Sequence, residues 1–376
     1  MQRGTLTPQG TSAVGGRLRT CELSARQVAL DPPRAFGPAA RARLRATPED
    51  FVVEEELGFV PAGTGQHLLL RVRKTDANTM WVARELAALV GCHAREVGYA
   101  GLKDRRAIAT QWFSVPRPRR PVSWPAVASA EFAVLEAHAH TRKLPRGALA
   151  GNRFALRIGA PDGDGAALAA RLAPRLAEIA RRGVPNYFGP QRFGRDGANL
   201  ARIAAGAAVL RRAERGLVIS AARSVVFNAV LAERVRSNCW DRLLPGDLAN
   251  LDGRGTIFAV TGVDPVLAAR LGRLEIHPTG ALWGRGSPQS RAAVLELESR
   301  VATAFASERG LCEAVGLRQE RRSLRLAVRE LQCESEPAAV LLRFRLTRGG
   351  FATVVLRELV ETDGAAAAAG ADDEGG

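Results

Sequence analysis

The chain has 376 residues, 46% hydrophobic and 24% charged, a composition that suits a globular protein long enough for two cored domains. No run of 18 apolar residues offers a membrane span, no apolar leader predicts secretion, and five scattered cysteines without a CxxC point to reduced thiols in a cytoplasm rather than to a disulfide scaffold or zinc site. The net charge of +16 persists although the last sixteen residues hold five acids and no base, so the expected partner is a polyanion, nucleic acid before membrane.

Residues 1–40 and 363–376 are poor in periodic apolar positions and read as flexible ends. From Arg41, RARLRATPEDFVVEEEL reads as a strand, a proline turn and a second strand opening at Phe51. QHLLLRVRK is a further strand, with Leu68, Leu70 and Val72 alternating. A helix is predicted over Asn78 to Val90, with Val82, Leu86 and Leu89 on one face and Gly91 as its stop. After GYAGLKDRRAIATQWF and the basic loop PRPRRP come strands around Phe132–Leu135 and Arg153–Ile158, then a helix from Ala166 to Arg182 ended by Gly183 and Pro185.

Residues 184–310 read as a mainly helical inserted domain, including a helix over Ser220 to Val235. The stretch 311–362 returns to strands, and LLRFRLTRGGFATVVLREL is predicted to be a hairpin turning at Thr347–Gly350, with Phe351 opening the last strand. The fold class is therefore α+β: a mixed sheet with flanking helices, formed by 41–183 and 311–362 and interrupted by 184–310.

Two segments concentrate candidate chemistry. In GYAGLKDRRAIATQWF, Asp104 lies between Lys103 and the pair Arg105–Arg106, beside Tyr99, Trp112 and Phe113. One reading is solvated surface charge; the other is a carboxylate kept ionised by cations and facing a polyanion. NYFGPQRFG adds Tyr187, Phe188 and Phe193 around Arg192. Aromatics beside arginines suit base stacking and phosphate pairing, although core packing explains the same rings. Only three lysines, Lys74, Lys103 and Lys143, stand among 54 basic residues. A surviving lysine can mark a place where a compact ammonium is needed and a planar guanidinium does not fit. The chain contains no phosphate loop, GxGxxG, HExxH or GxSxG, so no nucleotide, metal or redox cofactor is expected and ordinary side chains must carry the chemistry.

GYAGLKDRRAIATQWFSV closely resembles the signature of the TruD family of tRNA pseudouridine synthases. TPEDFVVEEELGF, HTRKLPRGALAGNRF, GVPNYFGPQRFGRDGANL, SAARSVVFNAVLAERV and FATVVLREL resemble further family blocks in the same order, from about Arg41 to Glu361. The resemblance implies cofactor-free conversion of a tRNA uridine, typically at position 13, to pseudouridine. It implies Asp104 as nucleophile, Phe51, Asn152 and Phe351 at the target nucleotide, and a family-specific inserted domain. Lys103, Arg105 and Arg192 join these as candidate RNA contacts. Arg45 stands where the family usually has lysine. An aspartate can serve such a reaction by adding to C6, by capturing C1′ or by removing a sugar proton, once the base has left its stack. The alternative is a non-catalytic RNA-binding or RNA-folding protein on the same scaffold. The expected partner is tRNA, with no membrane and no obligate protein partner, and the chain is expected to act as a cytoplasmic monomer.

Overall fold

The computed structural model describes residues 23–44, 46–203 and 212–362. Helix α1 (Ala25–Leu30) leads into β1 (Ala40–Leu44), β2 (Phe51–Leu57) and β3 (His67–Thr75). Next come α2 (Thr79–Val90), β4 (Gly98–Tyr99), β5 (Ile108–Pro116), β6 (Phe132–His140), β7 (Leu149–Gly159) and α3 (Gly165–Arg182). A long excursion holds β8 (Val184–Pro185), α4 (Ala198–Ile203), α5 (Arg212–Arg236), β9 (Leu248–Leu251), β10 (Ile257–Ala259) and α6 (Pro265–Gly272). It continues through β11 (Ile276–Leu282), α7 (Ala292–Ala304), α8 (Ala306–Ala314), β12 (Glu320–Ser323) and β13 (Arg325–Leu326). The chain returns as β14 (Arg329–Glu336), β15 (Ala339–Thr347), α9 (Ala352–Leu359) and β16 (Val360–Thr362).

Ten strands form one mixed sheet in the order β14-β15-β7-β2-β5-β3-β6, with β4 on β5 and β1 joining β7 to β16. Among the described residues only the β2–β5 and β1–β16 pairs of this sheet are parallel, so it is largely antiparallel, as expected. Strand β15 lies along β7 from Ala339 opposite Gly159 to Thr347 opposite Gly151. The end of the chain thereby completes a sheet begun before the excursion.

Local signals explain the well-read elements. Asn78 caps α2 by accepting from the backbone N–H groups of Met80 and Trp81, and Gly91 ends it in the left-handed conformation. Val82 and Leu86 are buried on its inner face, but Leu89 is exposed, because the core-facing stripe is narrower than expected. Strand β3 buries Leu70 and Val72 on one face and Leu69 on the other, since both sheet faces are covered there. Helix α5 is long and apolar enough to cross a membrane, yet its apolar length is spent inside the protein against α1, α4, α7, α8 and β11.

Three expectations are corrected. Residues 23–40 are not a free end: Ser24 and Gln27 cap α1 reciprocally, and Val28 and Ala29 are buried in the main core. The excursion is not simply helical, since β10-β9-β11-β12 form a second sheet that claims Glu320–Ser323, beyond the expected boundary at 310. Phe351 does not open a strand. It precedes α9, whose apolar positions Ala352, Val355, Leu356 and Leu359 follow helical spacing, while the true hairpin joins β14 to β15. The expected ends at 1–22 and 363–376, and Arg45, lie outside the described residues.

Candidate active site

The Gly101–Ala107 loop, which carries Asp104, is fixed from behind by buried polar side chains. The Gln111 amide donates to the Gly101 carbonyl at 3.0 Å, and the Thr79 hydroxyl donates to Gln111 Oε1 at 3.0 Å. The same hydroxyl accepts from the Lys103 backbone N–H at 3.1 Å. Lys74, with no exposed surface, donates from Nζ to the carbonyls of Ala77 at 2.6 Å, Asp104 at 2.7 Å and Lys103 at 3.5 Å. Three carbonyls call for three N–H donors, which a lysine has only as its ammonium. Lys74, Thr79 and Gln111 thus hold the backbone of the loop, leaving the Asp104 side chain half-buried at its edge.

Lys103 and Arg105, which flank Asp104 in sequence, each reach another acid. Lys103 Nζ reaches Glu55 Oε2 on β2 at 2.6 Å, forming a largely buried ion pair. Arg105, mostly exposed, leans on Asp76 at 3.7 Å. The expectation that Lys103 and Arg105 surround the Asp104 carboxylate is therefore corrected: each pairs with a different acid.

The Lys103–Glu55 pair leads across the sheet to Asn152. Glu55 stands opposite Asn152 on β7, and Asn152 stands opposite Leu346 on β15. Directly paired residues of antiparallel strands project from the same face, their Cβ atoms about 4.5–5.5 Å apart. Among the described residues, Glu55 Oε1 and Asn152 Oδ1 are both buried without a hydrogen-bond partner. Two neighbouring acceptors that burial has stripped of water and left unfilled are a costly arrangement that a donor from a ligand would satisfy.

Beyond Leu346, the Thr347–Gly350 turn carries Phe351. Gly349 adopts a φ of +78°, and a Cβ on Gly350 would stand 2.8 Å from the Leu326 side chain. Both glycines are needed for the chain to reverse there. Phe351 emerges 41% exposed, outside the hydrophobic clusters.

The other ring candidates behave differently. Phe51 is only 4% exposed and packs edge-on against Phe154, so its ring belongs to the core rather than to an open face. Tyr99, Trp112, Phe113, Tyr187 and Phe193 are likewise buried in hydrophobic clusters, which corrects the expectation of a stacking surface. Phe188 is only partly buried. Arg192 donates to Ser220 Oγ at 3.0 Å and lies 5.5 Å from the Phe188 ring centre.

Sequence reasoning missed Lys74, Thr79, Gln111 and Glu55 as parts of the site. Lysine scarcity was the available signal, and two of the three lysines, Lys74 and Lys103, do meet here, whereas Lys143 donates to the Arg95 carbonyl and packs where a Cβ on Gly98 would fall. Nothing in the sequence distinguishes Glu55 from Glu54 or Glu56 beyond strand alternation.

The sequence profile of the tRNA pseudouridine synthase D (TruD) family matches residues 37–216 and 199–359. The chain is 45% identical over 333 residues to a tRNA pseudouridine synthase D of Nitrosococcus oceani, covering 86% of this chain and 92% of that one. It is 46% identical over 343 residues to a namesake from Methylococcus capsulatus, covering 89% and 95%. A crystal structure named as a tRNA pseudouridine synthase D from Methanosarcina mazei shares the fold, with a TM-score of 0.71 at 19% identity, over 90% of this chain and 98% of that one. With the family profile spanning both parts of the sheet and the excursion between them, the chain belongs to the tRNA pseudouridine synthase D family.

Proposed function

We propose that this isomerase converts a uridine of tRNA, at position 13, to pseudouridine, with Asp104 as nucleophile toward a base flipped out of its stack. Family membership supports tRNA pseudouridylation. The reaction is an isomerisation: the C1′–N1 bond breaks, a C1′–C5 bond forms, and the proton leaving C5 is balanced by one gained at N1. No oxidant, reductant or energy source enters.

The observation that carries the reading is the fixed backbone of the Asp104 loop, tied through Lys103 and Glu55 to the unfilled acceptors beside Asn152. A nucleophile must be aimed, and buried hydrogen bonds to its main chain fix where its side chain starts. Uracil has an N3–H donor and ribose has hydroxyl donors, either of which fits an unfilled acceptor. The exposed Phe351 ring offers a stacking face for the extruded base. The net charge of +16 attracts the phosphate backbone.

The test is incubation of the full chain with an unmodified tRNA transcript in chelator, followed by position-resolved detection of pseudouridine. Conversion of uridine 13, abolished by Asp104→Asn, is expected. Tight tRNA binding without any pseudouridine would favour the non-catalytic RNA-binding alternative and overturn the reading.

A further inference from the structure

A cleft of about 170 Å³ lies where the excursion meets the Thr347–Gly350 turn, lined among others by Asn186, Arg254, Arg322, Arg348, Gly349 and Gly350. Its charge is unbalanced. Asp252 is the one carboxylate among the lining residues, and it is already engaged by His277 at 3.0 Å and Arg329 at 3.1 Å. Among the described residues, Arg254, Arg322 and Arg348 make no ion pair.

Arg322 is the centre of this imbalance. Its guanidinium stands 4.2 Å from the Phe188 ring centre. Nη2 donates to Asn186 Oδ1 at 2.8 Å and to the Gly349 carbonyl at 3.3 Å, and Nε donates to the Asn186 carbonyl at 3.5 Å. Those bonds use one edge of the fork. Nη1 has no hydrogen-bond partner among the described residues and lies 4.0 Å from where a Cβ on Gly349 would sit. Desolvation and the neighbouring Arg192 cation together pull Arg322 down to about 10. A guanidinium held in place, desolvated, facing a second cation and lacking an anion is arranged to receive one.

We infer that this cleft is a phosphate subsite in which Arg322 and Arg348 hold a backbone phosphate of the RNA next to the nucleotide at Phe351. The inference rests on the tRNA reading above and adds a place where the strand is gripped. The Gly349 carbonyl that accepts from Arg322 lies two residues before Phe351, so the phosphate contact and the ring are delivered by the same turn. Glycine at 349 and 350 lets the main chain approach the phosphate without a side chain between them. Fixing a phosphate beside an extruded base sets the register of the strand without reading its sequence.

The test uses the full chain and an unmodified tRNA transcript, with binding measured across a salt series for the parent, Arg322→Met and Arg348→Met. Arg348 is exposed and its side chain makes no hydrogen bond among the described residues, so its loss leaves folding intact. Each variant is expected to bind several-fold more weakly and to lose just under one from the slope of log affinity against log salt, the share of one phosphate. A second arm replaces single linkages of the tRNA by neutral methylphosphonate. One linkage beside the target uridine should weaken the parent and leave Arg322→Met unchanged, whereas a merely structural role for Arg322 would leave that sensitivity in place. Parent-like slopes in both variants, or equal sensitivity of Arg322→Met and the parent at every linkage, overturn the subsite while leaving the tRNA reading standing. Failure of the parent to bind tRNA overturns both.

Discussion

Lys74 Nζ donates to the main-chain carbonyl of Asp104 at 2.7 Å from a position with no exposed surface. The amine holds the main chain of the loop, so its loss and the loss of the carboxylate are expected to have separable effects. Lys74→Met leaves three carbonyls without their donor, at about 1–3 kcal/mol for each that stays dry. Lys74→Arg forces a planar fork into a space shaped for an ammonium. Both variants are expected to lose at least tenfold in kcat with KM for tRNA near the parent's, because the RNA contacts proposed above fall on other residues. Steady-state kinetics checks this, and a pure rise in KM would refute the positioning role.

Asp104→Asn is nearly isosteric and keeps the loop's main-chain bonds. Turnover should fall by at least a thousandfold, while the melting temperature and tRNA affinity stay close to the parent's. Single-turnover assays alongside binding titrations decide it; activity within tenfold of the parent removes Asp104 from the chemistry.

Phe351 is 41% exposed, so Phe351→Leu should change stability by no more than about 0.5 kcal/mol, as surface substitutions do. Turnover should drop by an amount set by lost stacking, about 1–3 kcal/mol per base. Asn152→Ala is expected to lower kcat as well. A Leu variant with full activity would show that the ring face is not used.

Glu55→Gln leaves the Lys103 ammonium without its buried counter-charge, which is expected to cost about 3–5 kcal/mol. Replacing both residues, Glu55→Met with Lys103→Met, should recover much of that loss, because an apolar pair avoids desolvating two ions. Urea unfolding of the parent and the two variants gives the comparison. Neither substituted protein should turn over at the parent's rate, since the floor beside Asn152 is altered in both.

His277 accepts from Arg325 Nε at its Nδ1, at 2.9 Å, and is buried, so desolvation holds its pKa below the ordinary histidine value. The unfolded chain therefore binds the proton more readily than the folded one. Stability from this group is fully present above about pH 6.5 and is lost as pH falls from there through the lowered folded value. Melting temperature against pH should show this fall in the parent, and a His277→Gln variant should show a shallower one.

Wherever periodicity and caps were strong, the sequence determined the outcome. Asn78 and Gly91 delimit α2, alternation marks β3, and the order of strands on either side of the excursion implied the α+β sheet. It also singled out Asp104, Asn152 and Phe351, through a contiguous motif and through resemblance. Tertiary structure decided what those residues touch. Adjacency in the motif suggested that Lys103 and Arg105 would face Asp104, but Glu55 and Asp76, distant in sequence, claim them. Of the rings in both motifs, all but Phe188 went to the core, and local sequence does not record which face of an element is covered. Phe351 was misread as a strand residue because a short apolar run after a Gly-Gly turn satisfies period 2 nearly as well as period 3.6; α9 exists because its stripe finds a core to pack against. The acceptors of Glu55 and Asn152, and the unpaired edge of Arg322, are properties of register and burial, which exist only once distant strands have met.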